Sequence, residues 1–184
     1  MFRMYRLKSS VCVVRTIIAG LALTIFSSGA TPPDEPSATA AAAPRPSAGE
    51  ARERAKLLHG TIHDTLQIVH SRYYREDEGL PIPAATLKLV FQRLAERDGV
   101  ELHWLAVDTK AMNIDHAPRN EFEKEAVKVL VSGKEEYDLA GDGVYRRVGL
   151  ITLGSECLEC HLPGRTSNKS RTAGLVITMP IMKK

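Results

Sequence analysis

The sequence is poor in several residue classes, and each shortage narrows the possible functions. Aromatic residues make up only 5% of its 184 positions, and there are three cysteines, too few for a disulfide framework. The apolar run at residues 16–26 is short of the roughly 20 residues that span a bilayer. No phosphate-binding loop or hydrolase triad pattern stands out. The length suits one domain with one core, since 43% of residues are apolar.

The first 30 residues are typical of a secretory signal peptide. Four basic residues and no acid precede the apolar run, which is followed by small residues ending at Ala30. We therefore predict a signal peptide over residues 1–30 and an exported protein, periplasmic in a bacterium. If the segment is not cleaved, it would instead anchor the chain at a membrane.

Cleavage after Ala30 changes the charge and the cysteine count. It lowers Lys plus Arg from 25 to 21 against 22 acidic residues, so the net charge falls from +3 to −1. It also removes Cys12 and leaves Cys157 and Cys160. No basic surface then argues for nucleic acid as a partner.

The remaining chain divides into a linker and one domain. Residues 31–49 hold five of the ten prolines and an alanine run, which predicts a disordered linker. Residues 50–184 should form the folded domain. Apolar spacing and turn residues predict helices at 50–78, 83–98 and 121–131 and strands at 100–107, 135–140, 144–153 and 172–181. This order predicts an α+β fold with an antiparallel sheet in its C-terminal half.

One motif carries chemistry. Residues 157–161 read Cys-Leu-Glu-Cys-His, the C-x-x-C-H pattern of covalent haem c attachment. Cys157 and Cys160 can form thioethers with the two haem vinyl groups, and His161 can bind the iron as the proximal ligand. Because haem c is attached outside the bacterial cytoplasm, the export signal and the motif support each other.

Two other interpretations of the motif stay open. A thioredoxin-type C-x-x-C should open a helix near the start of a domain, whereas Leu162-Pro163-Gly164 follows this motif late in the chain. A structural zinc site usually needs a second paired set of ligands, which only histidines could supply here.

The sequence resembles the exported c-type haem domain of unknown function that has a PAS-like fold and a single C-x-x-C-H. The resemblance covers about residues 55–182. It is carried by three stretches: GVYRRVGLITLGSECLECH at 143–161, TAGLVITMPI at 172–181 and MNIDHAPRNEFEKEAV at 112–127. It implies a PAS-like antiparallel sheet with N-terminal helices around one covalently bound haem c. In that family the helix before the first strand often bears a cysteine, which this chain lacks.

The sequence says less about the distal ligand, the residue that would bind the iron on the side opposite His161. His59, His63 and His70 lie on one stripe of the first predicted helix, beside its apolar face. We expect the distal ligand to be His70, then His63. His116 ranks third, because its loop packs near the ligand in PAS-like folds.

The sequence thus predicts an exported monohaem c-type cytochrome for electron transfer or for redox or gas sensing. Its partner would be a redox protein or a small gas ligand. The alternative is a peroxidase-like haem enzyme with an open distal site, in which His63 or His70 would serve as acid and base. A non-enzymatic role is favoured.

Overall fold

The structure is a computed structural model and describes residues 44–110, 113–162 and 164–183. The predicted signal peptide and residues 31–43 of the predicted linker lie outside these ranges. The described chain contains four α-helices, four strands and two 3-10 turns. They are α1 (Ala48–Tyr73), a 3-10 turn (Glu76–Glu78), α2 (Pro83–Asp98), β1 (Glu101–Ala106), a 3-10 turn (Ile114–His116), α3 (Glu121–Val131), β2 (Glu136–Gly141), β3 (Val144–Leu153), α4 (Cys157–His161) and β4 (Arg171–Pro180).

The four strands form one antiparallel sheet in the order β1-β4-β3-β2. The central pair, β3 and β4, runs in register from Val144 opposite Pro180 to Leu153 opposite Arg171. Asp142 and Gly143 both have positive φ, which is the backbone that a two-residue hairpin between β2 and β3 requires. These elements confirm the predicted α+β class and antiparallel sheet.

Helices cover both faces of the sheet. Because successive residues of a strand point to opposite faces, they contribute to two separate hydrophobic cores. Under α1 and α2, Phe91 packs against Trp104 with ring centroids 5.0 Å apart, within a cluster that includes Leu175 and Ile177. Under α3, Ala126 and Leu130 pack on the opposite face in a smaller cluster. The larger cluster is the one that borders the candidate site.

Both boundaries of α1 differ from the prediction. The helix starts at Ala48, capped by Ser47, and the Pro46 carbonyl accepts a hydrogen bond from the Met182 amide. The folded domain therefore begins before residue 50 and includes the end of the predicted linker. At the other end α1 stops at Tyr73, whose side chain is 69% exposed, rather than at residue 78. The remaining predicted helical residues, up to Glu78, end in a 3-10 turn.

No helix within the described ranges combines the length and apolar character needed to cross a membrane.

Polar contacts tie the start of α1 to the sheet. The Arg52 guanidinium donates to the Asp138 carboxylate at 2.7 Å, and the Tyr145 hydroxyl donates to the same carboxylate at 2.9 Å. Burial alone would raise the pKa of Asp138, but these two hydrogen bonds hold that pKa below its ordinary value.

Replacing Asp138 by Asn should therefore reduce stability in a pH-dependent way. Because the folded-state pKa is depressed, the carboxylate's contribution is present above the unfolded-state pKa and is lost as pH falls through the folded one. We expect a loss of about 1 kcal/mol at neutral pH, since the Arg52 partner is half exposed. Urea unfolding of D138N and of the exposed-turn control D142N, at pH 7 and down to about pH 2, measures it. A deficit that persists undiminished in acid would contradict this assignment.

Candidate functional site

A cavity of about 560 Å³ opens between the end of α1, the start of α2, β1, the second 3-10 turn and α4. This volume lies within the range of small-molecule and cofactor sites, roughly 300–1,000 Å³. Apolar side chains from several parts of the chain contribute to its wall, among them Leu66, Ile82, Trp104, Leu153 and Ala173. The Trp104 indole is fixed by donating to the Ala84 carbonyl at 3.0 Å.

The C-x-x-C-H motif forms one wall of this cavity. Its five residues form the short helix α4, which is closed by the Leu162 amide donating to the Leu158 carbonyl at 3.0 Å. Positions i, i+3 and i+4 share one face of a helix. Cys157, Cys160 and His161 accordingly all line the cavity.

Leu158 orients this helix. Its side chain is fully buried in the larger core, whereas its neighbour Glu159 is exposed. The helix is thus held to the sheet by the first of the two residues between the cysteines.

Burial also shifts the pKa values of Cys157 and His161. It raises the pKa of the Cys157 thiol, so the thiol is neutral at pH 7. It lowers the pKa of His161, and the nearby His70 lowers that pKa further. A neutral imidazole is the form that binds a metal.

The structure places the three candidate distal ligands in different surroundings. His70 and His116 both line the cavity with His161, whereas His63 does not. The Nδ1 of His63 lies 3.2 Å from the Asp64 carboxylate, and its ring stacks at 6.1 Å on His59.

His59 contacts the sheet and does not line the cavity. Its Nε2 lies 3.0 Å from the Leu150 carbonyl oxygen. Gly149 makes this approach possible, because a methyl group there would collide with the His59 ring. The three histidines on one stripe of α1 therefore differ in their surroundings. His59 and His63 contact other protein groups outside the cavity, and His70 lines the cavity.

The two cavity histidines differ in their contacts. His70 lies 3.8 Å from the Glu156 carboxylate, and its ring contacts Tyr74 at a centroid distance of 5.1 Å. In His116 the Nε2 atom is buried and has no hydrogen-bond partner among the described residues. Burial lowers the pKa of His116, and the Lys88 charge lowers it further.

Cationic side chains on the cavity wall were not anticipated from the sequence. Lys88 on α2 and Lys110 after β1 line the cavity, and within the described ranges neither has a carboxylate within 4.0 Å. Arg147, by contrast, donates to Glu136 at 3.1 Å and does not line the cavity. The sequence does not distinguish these two lysines from lysines on the solvent-exposed surface, because their place on the cavity wall depends on the folded structure.

In the parts of the chain that the structure describes, no three His, Cys, Asp or Glu side chains are grouped as ligands for a metal ion.

Fold and site together define an α+β domain with a largely apolar, cofactor-sized cavity that is walled on one side by a C-x-x-C-H helix. The chain belongs to the Tll0287-like family, whose model matches residues 45–176. The crystal structure of the cyanobacterial heme-protein Tll0287 is similar, with a TM-score of 0.57. The match has 14% identity and covers 73% of this chain and 98% of that chain, which shows a shared fold. No curated protein matches the chain.

Proposed function

We propose that this protein is an exported monohaem c-type cytochrome with a PAS-like fold, acting as a one-electron carrier. The observation that carries the proposal is the placement of Cys157, Cys160 and His161 together on the wall of a 560 Å³ cavity. Family membership supports it, because a protein of the same fold is a heme-protein.

The residues present fit such a group. Cys157 and Cys160 would hold it through thioethers, His161 would bind the iron, and the apolar wall would shield it from water. Lys88 and Lys110, which lack carboxylate partners in the described structure, suit the two haem propionates. When bound, haem c supplies reversible one-electron chemistry at iron.

Two cavity histidines favour electron transfer over the other roles. His70 and His116 lie on walls formed by other elements than the helix of His161, so a second imidazole is available to the iron. An iron with two firm ligands exchanges electrons without binding substrate, whereas gas sensing and peroxidase chemistry need an open position. The site therefore favours a carrier, whose partner would be a redox protein of the periplasm.

The test is the haem content and spectrum of the purified full chain, produced with its own leader in a bacterium that matures c-type cytochromes. We expect an intact mass raised by one haem and a low-spin spectrum that carbon monoxide leaves unchanged when reduced. A well-folded protein of unmodified mass, beside a control cytochrome that acquires its haem, would refute the proposal. Rapid carbon monoxide binding would instead favour a sensor or a peroxidase-like enzyme.

A further inference from the structure

We propose that His116 is the second axial ligand of the iron and that Arg119 is the residue that positions it. The inference rests on the proposed function, since it assigns the sixth coordination position of the same haem. It reverses the order expected from the sequence, in which His70 came first.

The main observation is the Nε2 atom of His116. It is buried beside the cavity and has no hydrogen-bond partner among the described residues. Buried polar atoms are almost always satisfied, so an unsatisfied imidazole nitrogen next to a cofactor-sized space indicates a missing partner. An iron atom held by His161 would be such a partner, because neutral imidazole is a common axial ligand.

The other histidines have different surroundings. The Nδ1 of His70 lies 3.8 Å from the Glu156 carboxylate and its ring contacts Tyr74, and no buried nitrogen of His70 lacks a partner; His63 contacts Asp64 and lies outside the cavity. The Nε2 of His103 also lacks a well-aligned hydrogen bond, but it lies 3.3 Å from the Glu123 carboxylate and does not line the cavity.

The loop that carries His116 is held in place from within. Asn113 caps the 3-10 turn, because its side chain accepts from the Asp115 amide at 3.0 Å and its carbonyl accepts from the His116 amide at 2.9 Å. One residue beyond Pro118, the Arg119 guanidinium donates back to the Asp115 carbonyl at 2.7 Å. The turn bearing His116 is therefore closed by backbone and side-chain contacts on both sides.

The far end of this loop is fixed to α3. The Arg119 amide donates to the Glu123 carboxylate at 2.7 Å, and the Asn120 amide group donates to the other oxygen at 2.8 Å. Glu123 is 2% exposed, so this anchor is part of the interior. Arg119 thus joins a buried anchor to the turn that carries His116, which is how it would keep the imidazole aimed at the cavity.

The experiment compares the optical and paramagnetic resonance spectra of the haem-loaded wild type with those of H116A and H70A. We expect the wild type and H70A to be low-spin. H116A should become high-spin in the ferric state, should bind added imidazole at least about tenfold more tightly and should then return to low-spin. A high-spin H70A beside an unchanged H116A would overturn the assignment, and so would two unchanged variants or a high-spin wild type.

Two further variants keep the test decisive. H116M retains a ligating side chain and should show the red charge-transfer band of Met-ligated ferric haem, with a raised potential. R119A keeps His116 but loosens its turn, so its affinity for imidazole should fall between those of wild type and H116A. An R119A protein identical to wild type in this titration would refute the positioning role. Covalent haem content, measured by mass in every sample, tests the proposed function separately.

Discussion

Replacement of both Cys157 and Cys160 by Ala is expected to abolish covalent haem attachment. Each thiol would form one thioether, and the two lie one helical turn apart on the face of α4 that borders the cavity. With neither thiol present, haem could be held only by His161 and the apolar wall, and it should leave on denaturation. Haem staining of a denaturing gel and intact mass both measure this loss.

The single variants and a neighbouring substitution sharpen the result. C157A and C160A should each retain one thioether at reduced yield, because one attachment point remains. E159Q alters an exposed residue between the two cysteines and should retain full staining. Haem that stays attached in the double variant would show that the motif is not the attachment site.

Replacement of Leu158 by Ala should cause the largest loss of stability among the predicted variants. Leu158 is completely buried in the larger core, and deleting a buried leucine side chain costs about 2–5 kcal/mol. Since this side chain also holds α4 against the sheet, the yield of haem-loaded protein should fall as well. Urea unfolding followed by circular dichroism gives the free energy of unfolding.

The matched control for L158A is E159A, at the exposed position next to it in the same helix. It should change the free energy of unfolding by no more than about 0.5 kcal/mol. Equal losses in the two variants would mean that Leu158 does not anchor the motif helix.

Most of the fold could be predicted because its signals are local. Pro83 and Gly99 bound α2, and the Gly141–Gly143 turn between two alternating strands marks the hairpin. The short helix of the motif was missed because five residues carry no helical period, and its geometry depends on the burial of Leu158 in the tertiary core. The end of α1 was misplaced because Gly79 and Pro81 are the first helix-breaking residues in this part of the sequence, whereas the helix already ends at Tyr73.

The site could be predicted only where its residues are adjacent in sequence. Cys157, Cys160 and His161 form a motif, so their grouping is visible without a structure. The contributions of His116 and Lys88 depend on packing between elements that are far apart along the chain. Helical periodicity placed His63 beside His70, but it could not show that the cavity begins only beyond His63.

The cavity is assembled from stretches of chain that are distant in sequence, with walls from α1, α2, β1 and its following loop, and the connection between β3 and β4. An unfolded chain therefore has no pocket, although its two thiols remain only three residues apart. Haem fixed to those thiols would stay on the chain through every opening of the fold. Recapture would then be intramolecular, at an effective concentration on the millimolar scale rather than that of free haem. The tether would thereby make cofactor retention independent of how often the surrounding walls separate.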